Sequence, residues 1–268
     1  MAGLCFLCIR VPDREMDCLD GREGAGVQGR HFFIIFAVMN PNLKAYVEAV
    51  ILPRYTHFDK AHQLDHITTV IRQSEALADM LAAQGVAVDR DMVYVIAAYH
   101  DLGIVNGREN HHTDSGKILM ADPVLKQYFT EEQLVTMKEA VEDHRASAKS
   151  APRSLYGRIV AEADRQIDPR TIVLRTLQYG LEHYPELDKA GHFARAEAHL
   201  KEKYGEGGYL KLWFAESENA RKLAELRALM ADRTVLAALM EDIWAHETPG
   251  QARGDENEMP GQARHDGA

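Results

Sequence analysis

The chain has 268 residues, 46% of them hydrophobic and 27% charged, with a formal net charge of -10. That length and mix suit one folded domain of about 200 residues with tails. An acidic balance with 7% aromatics argues against a general nucleic-acid-binding surface, which needs a basic face and stacking rings. It leaves room for a small anionic ligand, because a bound cation reverses the field inside a pocket. All 3 cysteines, Cys5, Cys8 and Cys18, lie in the first 18 residues. The body therefore has no thiol nucleophile, disulfide framework or thiolate zinc site, and the lone Cys5–Cys8 pair reads as chance. No run approaches the ~20 apolar residues of a membrane span. The burst Phe32–Met39 has no small-residue cleavage site after it, so a cytoplasmic location is expected.

Residues 1–38 hold the cysteines, a glycine-rich patch and one apolar burst, without helical or strand periodicity. They read as a non-domain extension upstream of Met39, the expected biological start. Asn40-Pro41 opens a helix, with Asn as N-cap and Pro at the first helical position. Leu43, Tyr46, Val47, Val50 and Ile51 recur at helical spacing up to Pro53. A second helix is expected over about 61–84, striped by Ile67, Val70, Ile71, Ala78 and Leu81. His62 and His66 share one of its faces, and Gly85 closes it. The next helix is apolar on every side from Met92 to Tyr99, the mark of a buried helix. It ends in His100-Asp101, with Gly103 expected as a left-handed C-cap. An imidazole and a carboxylate thus lie side by side at the buried end of a central helix. Buried ionisable groups need partners, and a metal ion suits both.

A polar loop, 104–110, leads to His111-His112-Thr113-Asp114-Ser115-Gly116 and a short helix over about 115–120. Thr130 with Gln133 is a capping-box signature. On the helix it opens, Leu134, Met137, Val141 and His144 share the core-facing stripe. Ser154 is the expected N-cap of a helix whose inner face carries Tyr156, Val160, Asp164 and Ile167, and an inward carboxylate there is unusual. Helices follow over about 171–181 and 190–204, then a glycine-rich turn at 205–209, then a long helix pair over 210–230 and 232–245. The tail repeats Pro-Gly-Gln-Ala-Arg at 249–253 and 260–264, a composition that cannot bury a core. The expected layout is one all-α domain over 39–247, with a disordered tail at 248–268.

Separate helices thus bring His66, His144 and Asp164 to inward faces. The central helix adds His100 and Asp101, and the loop after it adds His111 or His112. Imidazoles and carboxylates without thiolates suit Mn, Fe, Co, Ni, Mg or Zn in a high-coordination site, not a tetrahedral structural zinc.

Asp65-His66-Ile67-Thr68-Thr69-Val70, His100-Asp101-Leu102-Gly103, His111, His144 and Asp164 resemble the HD-domain metal-dependent phosphohydrolase superfamily, over roughly residues 62–168. The resemblance implies an all-helical bundle of the HD type. It implies one or two divalent ions (Mn, Fe, Co, Ni or Mg), manganese among the first to try. His66, His100, Asp101 and Asp164 would hold the first ion. His111 and His144 would hold the second, with Asp101 bridging. His111, Ser115 and Ile118-Leu119 are similar to the second-metal segment of the phosphodiesterase branch, and His112 competes with His111 for that place.

The chain departs from several branches of that superfamily. Ile104 stands where the cyclic-dinucleotide phosphodiesterases have Lys. The acidic pair after His-Asp in alarmone hydrolases is absent, and so is the longer motif of dNTP triphosphohydrolases. The chain resembles the small stand-alone members. The implied activity is hydrolysis of a phosphoester in a small phosphorylated molecule, a nucleotide first among them, by attack of metal-activated water. Arg108, Lys117, Arg145, Lys149, Arg153 and Arg158 are the expected phosphate contacts. His112 or Glu109 is expected to protonate the leaving group, on proximity in sequence. The alternatives are a non-catalytic nucleotide- or metal-binding or interaction module on the same fold, and a di-iron oxygenase.

Overall fold

The computed structural model describes residues 39–58, 64–145 and 150–247. The expectations for residues 1–38, the tail 248–268, His62 and Lys149 lie outside the described residues. Among the described residues the chain is all-α, and no helix is long and apolar enough to cross a membrane.

The central helix forms where the apolar run predicts it. Helix α3 (Arg90–Tyr99) is buried at every residue from Met92 to Tyr99. The Asp89 side chain caps it, accepting from the Met92 amide at 3.1 Å. Its neighbours are α2 (Leu64–Ala83), α4 (His111–Ala121), α5 (Glu131–Glu142) and α6 (Leu155–Ala163). Both halves of the expected capping box are present on α5, between Thr130 and Gln133. Gly85 closes α2 with φ of 80°. α1 (Pro41–Tyr46) begins at the Asn40 cap but widens into a π turn (Val47–Ile51) and then tightens into a 3-10 turn (Leu52–His57). Pro53 has no N–H to continue the α ladder there. Tyr55 from this segment is fully buried and donates its hydroxyl to the Ala98 carbonyl at 2.8 Å. That satisfies one of the carbonyls left open at the C-terminus of α3.

Gly103 does not take the left-handed cap conformation expected of it. α3 stops at Tyr99, and Gly103 lies in a 3-10 turn, Leu102–Asn106. Its role is close approach. A Cβ on Gly103 would sit 2.0 Å from the His111 carbonyl oxygen and 2.6 Å from the Ser115 amide nitrogen. The Gly103 amide also donates to Ser115 Oγ at 2.8 Å. Glycine here lets α4 close onto the end of the central helix. α4 starts at His111, four residues earlier than its sequence pattern suggests.

The second half of the chain forms its own core from α7 (Pro169–His183), α8 (Lys189–Tyr204), α9 (Glu218–Ala231) and α10 (Arg233–Glu247), around Val173, Leu177, Leu200, Leu226 and Met240. The helix expected over 210–230 begins only at Glu218. The preceding segment is held irregular by a buried carboxylate. Glu162, with no exposed surface, accepts the amides of Trp213 and Phe214 on Oε2, the latter at 2.9 Å. Asn219 adds a bond from Nδ2 to the Glu162 carbonyl at 2.7 Å. Phe214 packs on the first core, so Glu162 joins the two cores. Glu162→Ala leaves two half-buried backbone donors without their acceptor, at roughly 1 kcal/mol each. Chemical denaturation should show that loss, with faster amide exchange at 211–217. A variant as stable as the parent would contradict this role.

Candidate metal centre

Helix ends converge on one point. His100 and Asp101 follow α3, His144 follows α5 by two residues, Asp164 caps the C-terminus of α6, His111 opens α4 and His66 lies in the first turn of α2. His100, Asp101 and His144 are 0%, 3% and 2% exposed. Ionic groups this deep need compensation.

The carboxylate of Asp101 divides the cluster. Its Oδ2 lies 3.2 Å from His100 Nε2 and 3.5 Å from His66 Nε2. Its Oδ1 lies 3.4 Å from His144 Nε2 and 3.5 Å from His111 Nε2. Asp164 joins the first side, with Oδ1 3.3 Å from His66 Nε2 and 3.6 Å from His100 Nε2. The donor atoms of His66, His100, Asp101 and Asp164 all lie within 4.8 Å of one another, as do those of Asp101, His111 and His144.

Three of the imidazoles are held in the same way. His100 Nδ1 lies 2.8 Å from the Ala97 carbonyl, His111 Nδ1 2.7 Å from that of Arg108, and His144 Nδ1 2.6 Å from that of Val141. A carbonyl can only accept, so each Nδ1 carries the proton, and a neutral ring then turns the Nε2 lone pair inward. His111 Nε2 and His144 Nε2 stand 3.2 Å apart. Two lone pairs at that distance cannot bond each other; the pair needs a proton between them or a cation. His100 Nε2 is buried and makes no hydrogen bond. In the absence of a cation the facing carboxylates draw a proton onto His100 instead. Burial works against charge on His100, yet Asp101 and Asp164 outweigh it and hold the imidazole well above its usual pKa. Burial likewise opposes the Asp101 anion, but the facing histidines hold it well below the usual carboxylate range. The donor set, its burial and its fixed tautomers fit a divalent cation on either side of Asp101.

The structure brings His111, and not His112, to Asp101. His112 instead lines a separate cleft with Glu142, Arg145 and Arg153. Burial lowers its pKa, as does the nearby His111. Glu109 is exposed, and its carbonyl accepts from Arg145 Nη1 at 3.0 Å. Neither His112 nor Glu109 belongs to either donor group.

The expected phosphate contacts scatter. Arg108 lines a cavity with His66 and Asp164. Lys117 pairs with Asp114 at 2.7 Å, and Arg158 is exposed on α6. Arg153 is taken by Asp143 and Glu142, at 3.0 and 2.9 Å. Of the basic stretch after His144, Arg153 is thus neutralised by the acids at the end of α5.

Sequence reading missed the cavity itself. It measures about 490 Å³ and runs from His66 and Asp164 over Arg165 and Gln166 to α7 and α8, where Arg175, Arg195 and Lys203 line it. Arg108, Arg165, Arg175, Arg195 and Lys203 face it, against the carboxylate of Asp164. On a chain of net charge -10 that is a local reversal of sign. Gln166 reaches His66 Nδ1 from this wall at 3.1 Å. The spacing Arg195, His199, Lys203 was visible as an i, i+4, i+8 stripe, but nothing in it said what it faces.

No curated protein sequence matches the chain. Among solved structures, the crystal structure of a predicted HD superfamily hydrolase from an uncultured Thermotogales bacterium is similar, with 18% identity and a TM-score of 0.43. That match covers 75% of this chain and 93% of that one. The family model described as HD domain matches residues 64–166, a span that holds Asp101 and the five residues gathered around it.

Proposed function

We propose that the protein is a metal-dependent phosphohydrolase that cleaves a phosphoester in a small phosphorylated molecule, with nucleotides the first class to test. One observation carries the reading: the two oxygens of Asp101 face two different imidazole pairs, the arrangement that two cations sharing one carboxylate require. HD domains bind divalent metals, which supports it.

A divalent cation bound there supplies Lewis acidity, lowering the pKa of water towards about 7 and drawing charge from phosphoryl oxygens. The rest falls to the chain. His66, His100, Asp101 and Asp164 form one donor set, and Asp101, His111 and His144 the other. The Ala97, Arg108 and Val141 carbonyls hold three rings in a fixed tautomer, so the donors are oriented before anything binds. Arg108 and Arg165, which line the cavity beside His66 and Asp164, orient the anionic phosphoryl group.

The test is phosphate release from p-nitrophenyl phosphate, and p-nitrophenol release from bis(p-nitrophenyl) phosphate, by the full chain supplied with manganese or iron. Asp101→Asn should lower kcat/KM by about a thousandfold, the several kcal/mol that metal polarisation supplies. Oxygen consumption by an iron-loaded protein that hydrolyses neither ester would instead establish the oxygenase alternative. Loss of turnover in neither variant nor parent, because neither hydrolyses an ester or consumes oxygen, would leave a binding module. The ligand assignment has its own check. Manganese bound per chain, counted by elemental analysis after loading, should fall in His111→Ala and stay at the parental level in His112→Ala. The reverse pattern would contradict the geometry.

A further inference from the structure

The cavity beside the metal centre is longer than one phosphoryl group needs. On α7 its wall runs through Thr171, Arg175 and Tyr179, and on α8 through Arg195, His199 and Lys203. Each set is an i, i+4, i+8 stripe, about 12 Å of helix at 1.5 Å per residue. A five-residue link, 184–188, joins the two helices, so the stripes run antiparallel along one hairpin. Both stripes lie outside the residues that match the HD domain.

The cations of this wall are not spent on carboxylates. Arg195 gives Nη2 to the Thr176 carbonyl and stacks its guanidinium over Tyr179 and Tyr184, at 5.8 and 5.4 Å from the ring centroids. Its Nε is buried and makes no hydrogen bond. Arg165, at the Asp164 end, also has a buried Nε without a hydrogen bond. Lys203 Nζ lies 5.1 Å from the Tyr204 centroid. Arg195, held by two rings and a carbonyl, stands with Arg175 and Lys203 in a cleft that faces one carboxylate, an arrangement that suits phosphate oxygens.

We propose that Arg175, Arg195 and Lys203 form a subsite for a second phosphate of the ligand. The preferred substrate, on the reading of the Asp101 cluster as the catalytic centre, then carries two or more phosphates: one at the cluster and one on the α7–α8 hairpin. Specificity resides in the helices that follow the HD domain.

The test needs no turnover. Full-length protein, dialysed free of metal and of chelator, is titrated calorimetrically with tripolyphosphate and with inorganic phosphate. Tripolyphosphate should bind one per chain and at least about tenfold more tightly than inorganic phosphate, since it spans more than one charge-assisted contact. Arg175→Gln and Lys203→Gln should each weaken it by roughly tenfold, and the pair by more. Arg175 is exposed and Lys203 half-buried, so these variants keep the fold. Arg158→Gln, exposed on α6 and outside the cavity wall, should bind tripolyphosphate as the parent does. Binding lost in His100→Ala but kept in the hairpin variants would place the anion on the cluster and overturn the subsite, as would no binding to the parent. A protein that binds tripolyphosphate through the hairpin yet hydrolyses no phosphoester overturns the proposed activity and leaves the subsite standing.

Discussion

The structure turns on one carboxylate that is almost out of reach of water. Asp101 is 3% exposed and faces four imidazole nitrogens between 3.2 and 3.5 Å away. Folding has to bury a negative charge at the end of the most apolar helix in the protein. That costs several kcal/mol unless positive charge is brought to it. The surrounding elements can be understood as ways of doing so. α2, α4, α5 and α6 pack around α3 for their apolar stripes, and each delivers a donor where its end meets Asp101. The same packing that makes the core therefore makes the site.

Precision comes from an economical device. A histidine near a helix terminus gives Nδ1–H to the carbonyl three residues before it, as His100, His111 and His144 do. The bond satisfies an open carbonyl and fixes the ring's tautomer at once. Gly103 serves the same end from the backbone, since any side chain there would push the His111 carbonyl away. Removing a support of this kind displaces a donor without touching it.

Much of this was readable in the sequence because it follows from helical periodicity. The all-round apolar run ending in His100-Asp101 gave the buried dyad, and the stripe Leu134, Met137, Val141, His144 put His144 inside. Asp164 stood out as an inward carboxylate. The choice between His111 and His112 was not readable. Adjacent residues at a helix start point in different directions only once the helix is docked, and Gly103 and Ser115 decide that docking. The phosphate contacts were sought next to His144 because the basic residues cluster there in sequence. Arg153 is instead consumed by Glu142 and Asp143. The cationic wall comes from α7 and α8, which read as ordinary amphipathic helices, and only the hairpin brings their stripes onto one cavity. The irregular stretch before α9 was missed for a similar reason. Its amides bond to Glu162, some 50 residues away, and no local pattern announces such a partner.

The central claim is that the charge on Asp101 is balanced by bound cations, and thermal unfolding tests it most directly. A ligand at a hundred times its Kd stabilises by about 2.7 kcal/mol. For a domain of this size that is roughly 5–10 °C in Tm. Chelation should lower the Tm of the full chain by this order, manganese or iron should restore it, and Asp101→Asn should be indifferent to both. A Tm that neither chelator nor added metal moves would contradict it.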